Sequence, residues 1–161
     1  MKDQYEYTID STDDIVRALA EAEREGYDLT HYTARFDLRG EAGRPISVDG
    51  SLEGLHVVAH GPAPVYVSDG ATVIAENSSV VYVMGGSFVD AYDSVTVYAY
   101  DRAEVDVSCD ASVYIASDDV IVNAFGNARV YLPAHGAAGS RATVNVPDGA
   151  NLIRTTAAAE N

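Results

Sequence analysis

Asp90 and Asp106 stand at equivalent places in a repeating pattern, 16 residues apart. Carboxylates set one coil apart in a stacked fold approach the separation of a retaining glycosidase pair. That chemistry needs a concave site, which a narrow coil does not offer, so the two read as solvated neighbours in a ladder. Asp69, Asp93, Asp101, Asp110, Asp118, Asp119 and Asp148 fall in turn-like segments and raise the question of calcium. The glycine-rich nonapeptide signature of calcium-binding rolls is missing, and turn aspartates ordinarily bond their own backbone. His56 and His60 lie on outward positions of one strand without a third ligand, and His31 and His135 keep no regular relation to them. Cys109, between Ser108 and Asp110, sits where negative charge disfavours a thiolate. Phosphate loop, nucleotide fingerprint and nucleophile elbow are all missing. The residues point to a non-enzymatic protein, with no metal and no cofactor, that works through its surfaces.

The elements that position these side chains emerge from a repeat. In blocks of eight the chain reads LHVVAHGP from Leu55, APVYVSDG from Ala63, ATVIAENS from Ala71, SVVYVMGG from Ser79, SFVDAYDS from Ser87, VTVYAYDR from Val95, AEVDVSCD from Ala103 and ASVYIASD from Ala111. After the extra Asp119 come VIVNAFGN from Val120 and ARVYLPAH from Ala128, and after a six-residue insertion ATVNVPDG from Ala142. The third position is always valine: Val57, Val65, Val73, Val81, Val89, Val97, Val105, Val113, Val122, Val130 and Val144. Alternation of period two followed by Gly, Asp, Asn or Ser predicts a short strand and a turn in each block.

The fourth position sets the number of blocks per coil. Tyrosine occupies it in alternate blocks, as Tyr66, Tyr82, Tyr98, Tyr114 and Tyr131, with Val58, Ile74, Asp90, Asp106 and Asn123 between. The fifth position alternates in phase, Val67, Val83, Ala99, Ile115 and Leu132 against Ala59, Ala75, Ala91, Val107 and Ala124. Mostly large side chains thus face mostly small ones, as a close-packed thin core requires. The expectation is a mainly β protein: a two-sided parallel β-solenoid of about 16 residues per coil from Leu55 to Gly149, with an N-terminal α/β cap.

Residues 1–54 are expected to form that cap, covering the apolar end of the stack. Ser11 with Asp14 opens a helix of about residues 12–25 and Gly26 closes it, with Ile15, Leu19 and Ala22 in one stripe and Val16 beside them. Strands are expected near Tyr5 to Ile9 and Ala34 to Leu38. Residues 150–161 should supply a terminal strand and a frayed tail.

The 161 residues carry 25 acidic and 10 basic side chains, for a formal charge of -15. This balance argues against direct binding to nucleic acid or an anionic membrane, which needs clustered Lys and Arg. The chain shows no apolar run of the roughly 18 residues that a membrane span requires. One cysteine and a polar opening MetLysAspGlnTyrGluTyr lead us to expect a soluble, cytoplasmic protein.

The octads with their constant valine resemble octapeptide-repeat β-solenoids of bacteria and their mobile elements, over about 95 residues. The resemblance implies a fold and no particular activity. In architecture and charge, though not in repeat length, the chain is also similar to the pentapeptide-repeat solenoids that mimic DNA.

Two outward faces follow from the period. The face with Tyr66, Tyr82, Tyr98, Tyr114 and Tyr131 is flat, carries one charge, Arg129, and is the expected seam of a homodimer. The other face holds Glu76, Asp90, Glu104 and Asp106 and is the expected contact for a basic protein partner. From Leu55 to Gly149, eleven acidic residues stand against Arg102, Arg129 and Arg141. Along the stack that is about one net negative charge per 3.5 Å, near the axial density of a single DNA strand. The expected function is an acidic, nucleic-acid-mimicking inhibitor of the anti-defence (anti-CRISPR) type. The alternative is a structural or self-assembling solenoid. Ice binding ranks lower, since Thr72 and Thr96 share their ranks with Phe88, Glu104 and Arg129.

Overall fold

Each block of apolar alternation becomes one short strand in the computed structural model, which describes residues 5–27, 34–52, 55–132, 142–147 and 149–154. The first elements are β1 (Tyr5–Ile9), α1 (Thr12–Arg24), β2 (Ala34–Leu38) and β3 (Ile46–Val48). The octads supply β4 (His56–Ala59), β5 (Val65–Val67), β6 (Thr72–Ala75), β7 (Val80–Val83), β8 (Phe88–Ala91) and β9 (Thr96–Ala99). They continue with β10 (Glu104–Val107), β11 (Ser112–Ile115), β12 (Ile121–Ala124), β13 (Arg129–Leu132) and β14 (Thr143–Asn145), and β15 (Asn151–Arg154) follows.

Strands alternate between two sheets. One has eight strands in the order β1-β2-β4-β6-β8-β10-β12-β14, the other seven in the order β3-β5-β7-β9-β11-β13-β15. Neighbours in each sheet pair in parallel, as Val89 with Val105 and Val105 with Val122. The chain is therefore a two-sided parallel β-solenoid, and eight strands at the roughly 4.8 Å spacing make a stack about 34 Å tall.

Both sheets begin before Leu55, through β1 and β2 on one side and β3 on the other. These first coils are irregular. Paired residues lie 21 apart between β2 and β4 (Arg35 and His56) and 19 apart between β3 and β5 (Ile46 and Val65). In the regular part the interval is 16, as from Val65 to Val81.

The third-position valines from Val57 to Val130 are at most 1% exposed and form the spine of the core. Burying each contributes roughly 1.5–3 kcal/mol. Val144, near the C-terminal end of the stack, is only partly buried. Ser79 and Ser87 take first positions that are otherwise apolar, and both are satisfied. The Ser79 hydroxyl donates to the Glu76 carbonyl, 3.0 Å, and Ser87 Oγ accepts from the Gly70 N–H, 3.1 Å.

The seventh position turns the chain through the left-handed region. Asp69, Asn77, Asp93, Asp101 and Cys109 have φ between 53° and 60°, and Gly85 and Gly126 have 64° and 61°. Asn and Asp tolerate this region best after Gly, which explains the composition of the turns. Gly61 answers to a different constraint: a Cβ there would lie 1.9 Å from the Arg39 carbonyl oxygen.

Helix α1 packs on the first strands of both sheets, β1 and β3. It buries Ile15, Ala18 and Ala22, and Leu19 flanks them, while Val16 is 71% exposed and lies off the stripe. Ser11 occupies the N-cap, but its hydroxyl donates to Asp14 Oδ2, 2.9 Å, and caps no backbone N–H. At the other end Gly26 has φ 76°, and the bonds from Gly26 N–H to Glu23 and Tyr27 N–H to Ala22 make a Schellman close. β15 is the expected terminal strand; residues 155–161, assigned to the tail, lie outside the described residues. Among the described residues no helix is long and apolar enough to cross a membrane.

Candidate functional site

Strand alternation sends the second and fourth positions of each octad outward, so side chains from successive coils line up in ranks. On the eight-stranded sheet, Asp90 pairs in register with Asp106, Asp106 with Asn123, and Asn123 with Asn145. The rank is hydrogen-bonded from Asn145 as far as Asp106. Asn145 Nδ2 donates to Asn123 Oδ1 and Asn123 Nδ2 donates to Asp106 Oδ1, each at 2.7 Å. The Tyr92 hydroxyl donates to the Asp90 carboxylate, which pushes the phenol up to about 12, with burial adding to the shift. Glu104 is exposed on the neighbouring rank, beside Phe88 in register.

Glu76 belongs to a different cluster. Its carboxylate lies 3.7 Å from Arg35 and 3.4 Å from His60 Nδ1. Arg35 also bonds Asp37 at 2.7 Å, and Arg39 bridges Asp37 and Glu6, 3.1 Å each. Asp37 is 1% exposed. Burial works to raise its pKa, but the bonds from Glu6, Arg35 and Arg39 prevail and hold it below the usual carboxylate range. Glu6 is pushed up by its hydrogen bond to Asp37 and by the charge of that carboxylate. Burial, and then Arg35, hold the His56 imidazole below its ordinary value.

The four acidic residues expected on one face thus divide into two groups. Glu76 is compensated by Arg35 of the first coils, whereas Asp90, Glu104 and Asp106 form no ion pair among the described residues. Arg35, Asp37 and Arg39 escaped the sequence reading because they precede the regular octads. Their signal was the alternation Arg35-Phe36-Asp37-Leu38-Arg39, with buried Phe36 and Leu38 between charged residues.

On the opposite sheet all five fourth-position tyrosines form one ladder. Ring centroids are 4.7 Å apart for Tyr66 and Tyr82, 5.0 Å for Tyr82 and Tyr98, 5.1 Å for Tyr98 and Tyr114, and 4.4 Å for Tyr114 and Tyr131. Interplanar angles stay at or below 18°, so the rings lie face to face. Partial burial and neighbouring phenols push Tyr82 and Tyr114 up.

Four of the turn aspartates shape the backbone. Asp69, Asp93, Asp101 and Asp119 are left-handed, and Asp93 Oδ2 accepts from the Asn77 N–H one coil away, 3.1 Å. Among the described residues no three of His, Cys, Asp and Glu converge as metal ligands would. Cys109 is exposed in a left-handed turn. His31, His135, Arg141 and Asp148 lie outside the described residues. No known protein family, curated protein or solved structure matches this chain.

Proposed function

We propose that the chain is an acidic binding scaffold, without catalytic chemistry of its own, that occupies a basic nucleic-acid-binding surface of a protein partner. An anti-defence inhibitor of a mobile element would act in this way. The observation that carries this reading is the set of carboxylates Asp90, Glu104 and Asp106, on adjacent strands and without a cation among the described residues, while Asp37 and Glu76 have theirs. Parallel pairing fixes the backbone that carries these carboxylates before any partner arrives, so little backbone freedom is lost on binding. Pairing with a basic surface would be salt-sensitive, because exposed charges are screened beyond about 8 Å at physiological ionic strength.

The test is a pull-down at two salt concentrations, followed by competition of the recovered partner with DNA or RNA. Replacing Asp90, Glu104 and Asp106 together by lysine should abolish binding. Binding that ignores salt, nucleic acid and the triple reversal would leave only the scaffold.

A second reading, self-association through the tyrosine face, is supported by the unbroken and nearly neutral ladder from Tyr66 to Tyr131. Light scattering at tens of micromolar tests it. A monomer, or a dimer that survives Tyr98→Asp, excludes this face as the seam.

A further inference from the structure

Beside the tyrosine ladder runs a groove of about 330 Å³, walled by Tyr66, Tyr82, Met84 and Tyr100 and bounded by Asp101. Tyr82 is stacked on both sides, against Tyr66 and Tyr98, so within the groove it presents its edge and hydroxyl. A sugar ring or a nucleobase would need an open aromatic face to stack on, which the central Tyr82 does not present. The groove offers instead phenol oxygens that accept hydrogen bonds, a polarisable thioether and one carboxylate.

Asp101 is also shared with a second depression, of about 600 Å³, bordered by Asp118, Asp119 and Arg102. Three carboxylates against one guanidinium leave that side of the groove negative. The backbone fixes Asp101 firmly: φ is 53°, and its N–H donates to Ser117 Oγ one coil further on. An apolar wall ending at fixed negative charge suits an aliphatic stem that carries a cationic head. A guanidinium, with five donors in a planar fork, can meet phenol oxygens and a carboxylate together, whereas an ammonium is a compact point charge.

We infer that this groove is a pocket for an arginine side chain of the basic partner. The inference rests on the basic-partner reading above and adds a contact on the sheet opposite Asp90 and Asp106. The stem lies along Met84 and the ring edges, and the guanidinium lies between the phenol oxygens and Asp101.

The test is a titration of isotope-labelled full chain with hexa-arginine at low salt, followed by amide NMR, with hexa-citrulline as the uncharged control. Saturable shifts at Met84, Tyr100 and Asp101 are expected with arginine and not with citrulline. Asp101→Asn, which keeps a residue suited to the left-handed turn, should weaken binding about five-fold. The triple change Asp90→Asn, Glu104→Gln and Asp106→Asn should leave the groove shifts in place. Shifts confined to the face of Asp90, Glu104 and Asp106 would overturn the pocket and spare the basic-partner reading. Binding nowhere would overturn both, and groove shifts reproduced by citrulline or untouched by Asp101→Asn would overturn the arginine assignment.

Discussion

Replacing Tyr82 and Tyr98 by leucine, singly and together, isolates what ring stacking contributes to this solenoid. The two rings are adjacent rungs, with centroids 5.0 Å apart and planes within 11°. An aromatic pair in such an arrangement is worth about 0.5–1.5 kcal/mol beyond the area it buries. Each single substitution also loses contacts with other rungs, Tyr66 for Tyr82 and Tyr114 for Tyr98. The double-mutant cycle removes those terms and should return a coupling of about 1 kcal/mol. Tyr66 and Tyr98 provide the control. They lie two rungs apart, about 9.6 Å, so their cycle should be additive within about 0.5 kcal/mol. Denaturant unfolding followed by circular dichroism reads all the variants. Additivity in the Tyr82 and Tyr98 pair, or equal coupling in the Tyr66 and Tyr98 pair, would refute the ladder as a chain of nearest-neighbour contacts.

Val105→Asp should prevent folding or cost several kcal/mol, because the site is 0% exposed and the new carboxylate would meet only Val89, Val122 and the facing sheet; a cooperative melt within about 1 kcal/mol of wild type would contradict the buried valine spine. Gly61→Ala should cost about 1–3 kcal/mol, since the added Cβ would lie 1.9 Å from the Arg39 carbonyl and backbone must move; thermal melting checks this, and an unchanged midpoint would place the two coils further apart. Tyr92 should titrate near 12 in an absorbance titration, and Asp90→Asn should bring it down toward 10. Its folded pKa is raised above the unfolded value, so its stabilisation is complete below about pH 10 and is lost as pH rises to about 12. An alkaline unfolding limb unaffected by Asp90→Asn would mean that the hydrogen bond does not hold the phenol.

The regular coils were legible because a solenoid repeats one physical problem every 16 residues, and valine solves it each time. Even Asp119, inserted between blocks, only shifts the register by one, so that Glu104 pairs with Ile121. The turns were legible for the same reason, since left-handed backbone admits few residue types. Cys109 departs from that rule: it is left-handed at φ 59° where its neighbours use Asp, Asn or Gly. The strands near Tyr5 and Ala34 were expected, but not their place in the sheets. Intervals of 21 and 19 residues hide the coil period, and register depends on loops whose lengths follow no rule. The division of the acidic face was hidden with them, because Arg35 meets Glu76 only once β2 stands beside β4.

In a solenoid the inward positions are bound by the stack, while the outward ranks are free to vary with little cost to the fold. The outward ranks here nevertheless differ in kind. Charges of the first coils neutralise each other around buried Asp37 and tie β1 to the end of β2 through Glu6 and Arg39. Tyrosines on one sheet satisfy each other by stacking, and the amides of Asn123 and Asn145 run toward Asp106 on the other. Asp90, Glu104 and Asp106, with Asp101, Asp118 and Asp119 at the turns, have no comparable cationic partner among the described residues. Like charges one strand spacing apart repel, at about 4.8 Å, and for the registered pair Asp90 and Asp106 only neutral donors, Tyr92 and Asn123, offset that repulsion among the described residues. A basic surface of the proposed partner would supply the positive charge that these carboxylates lack among the described residues.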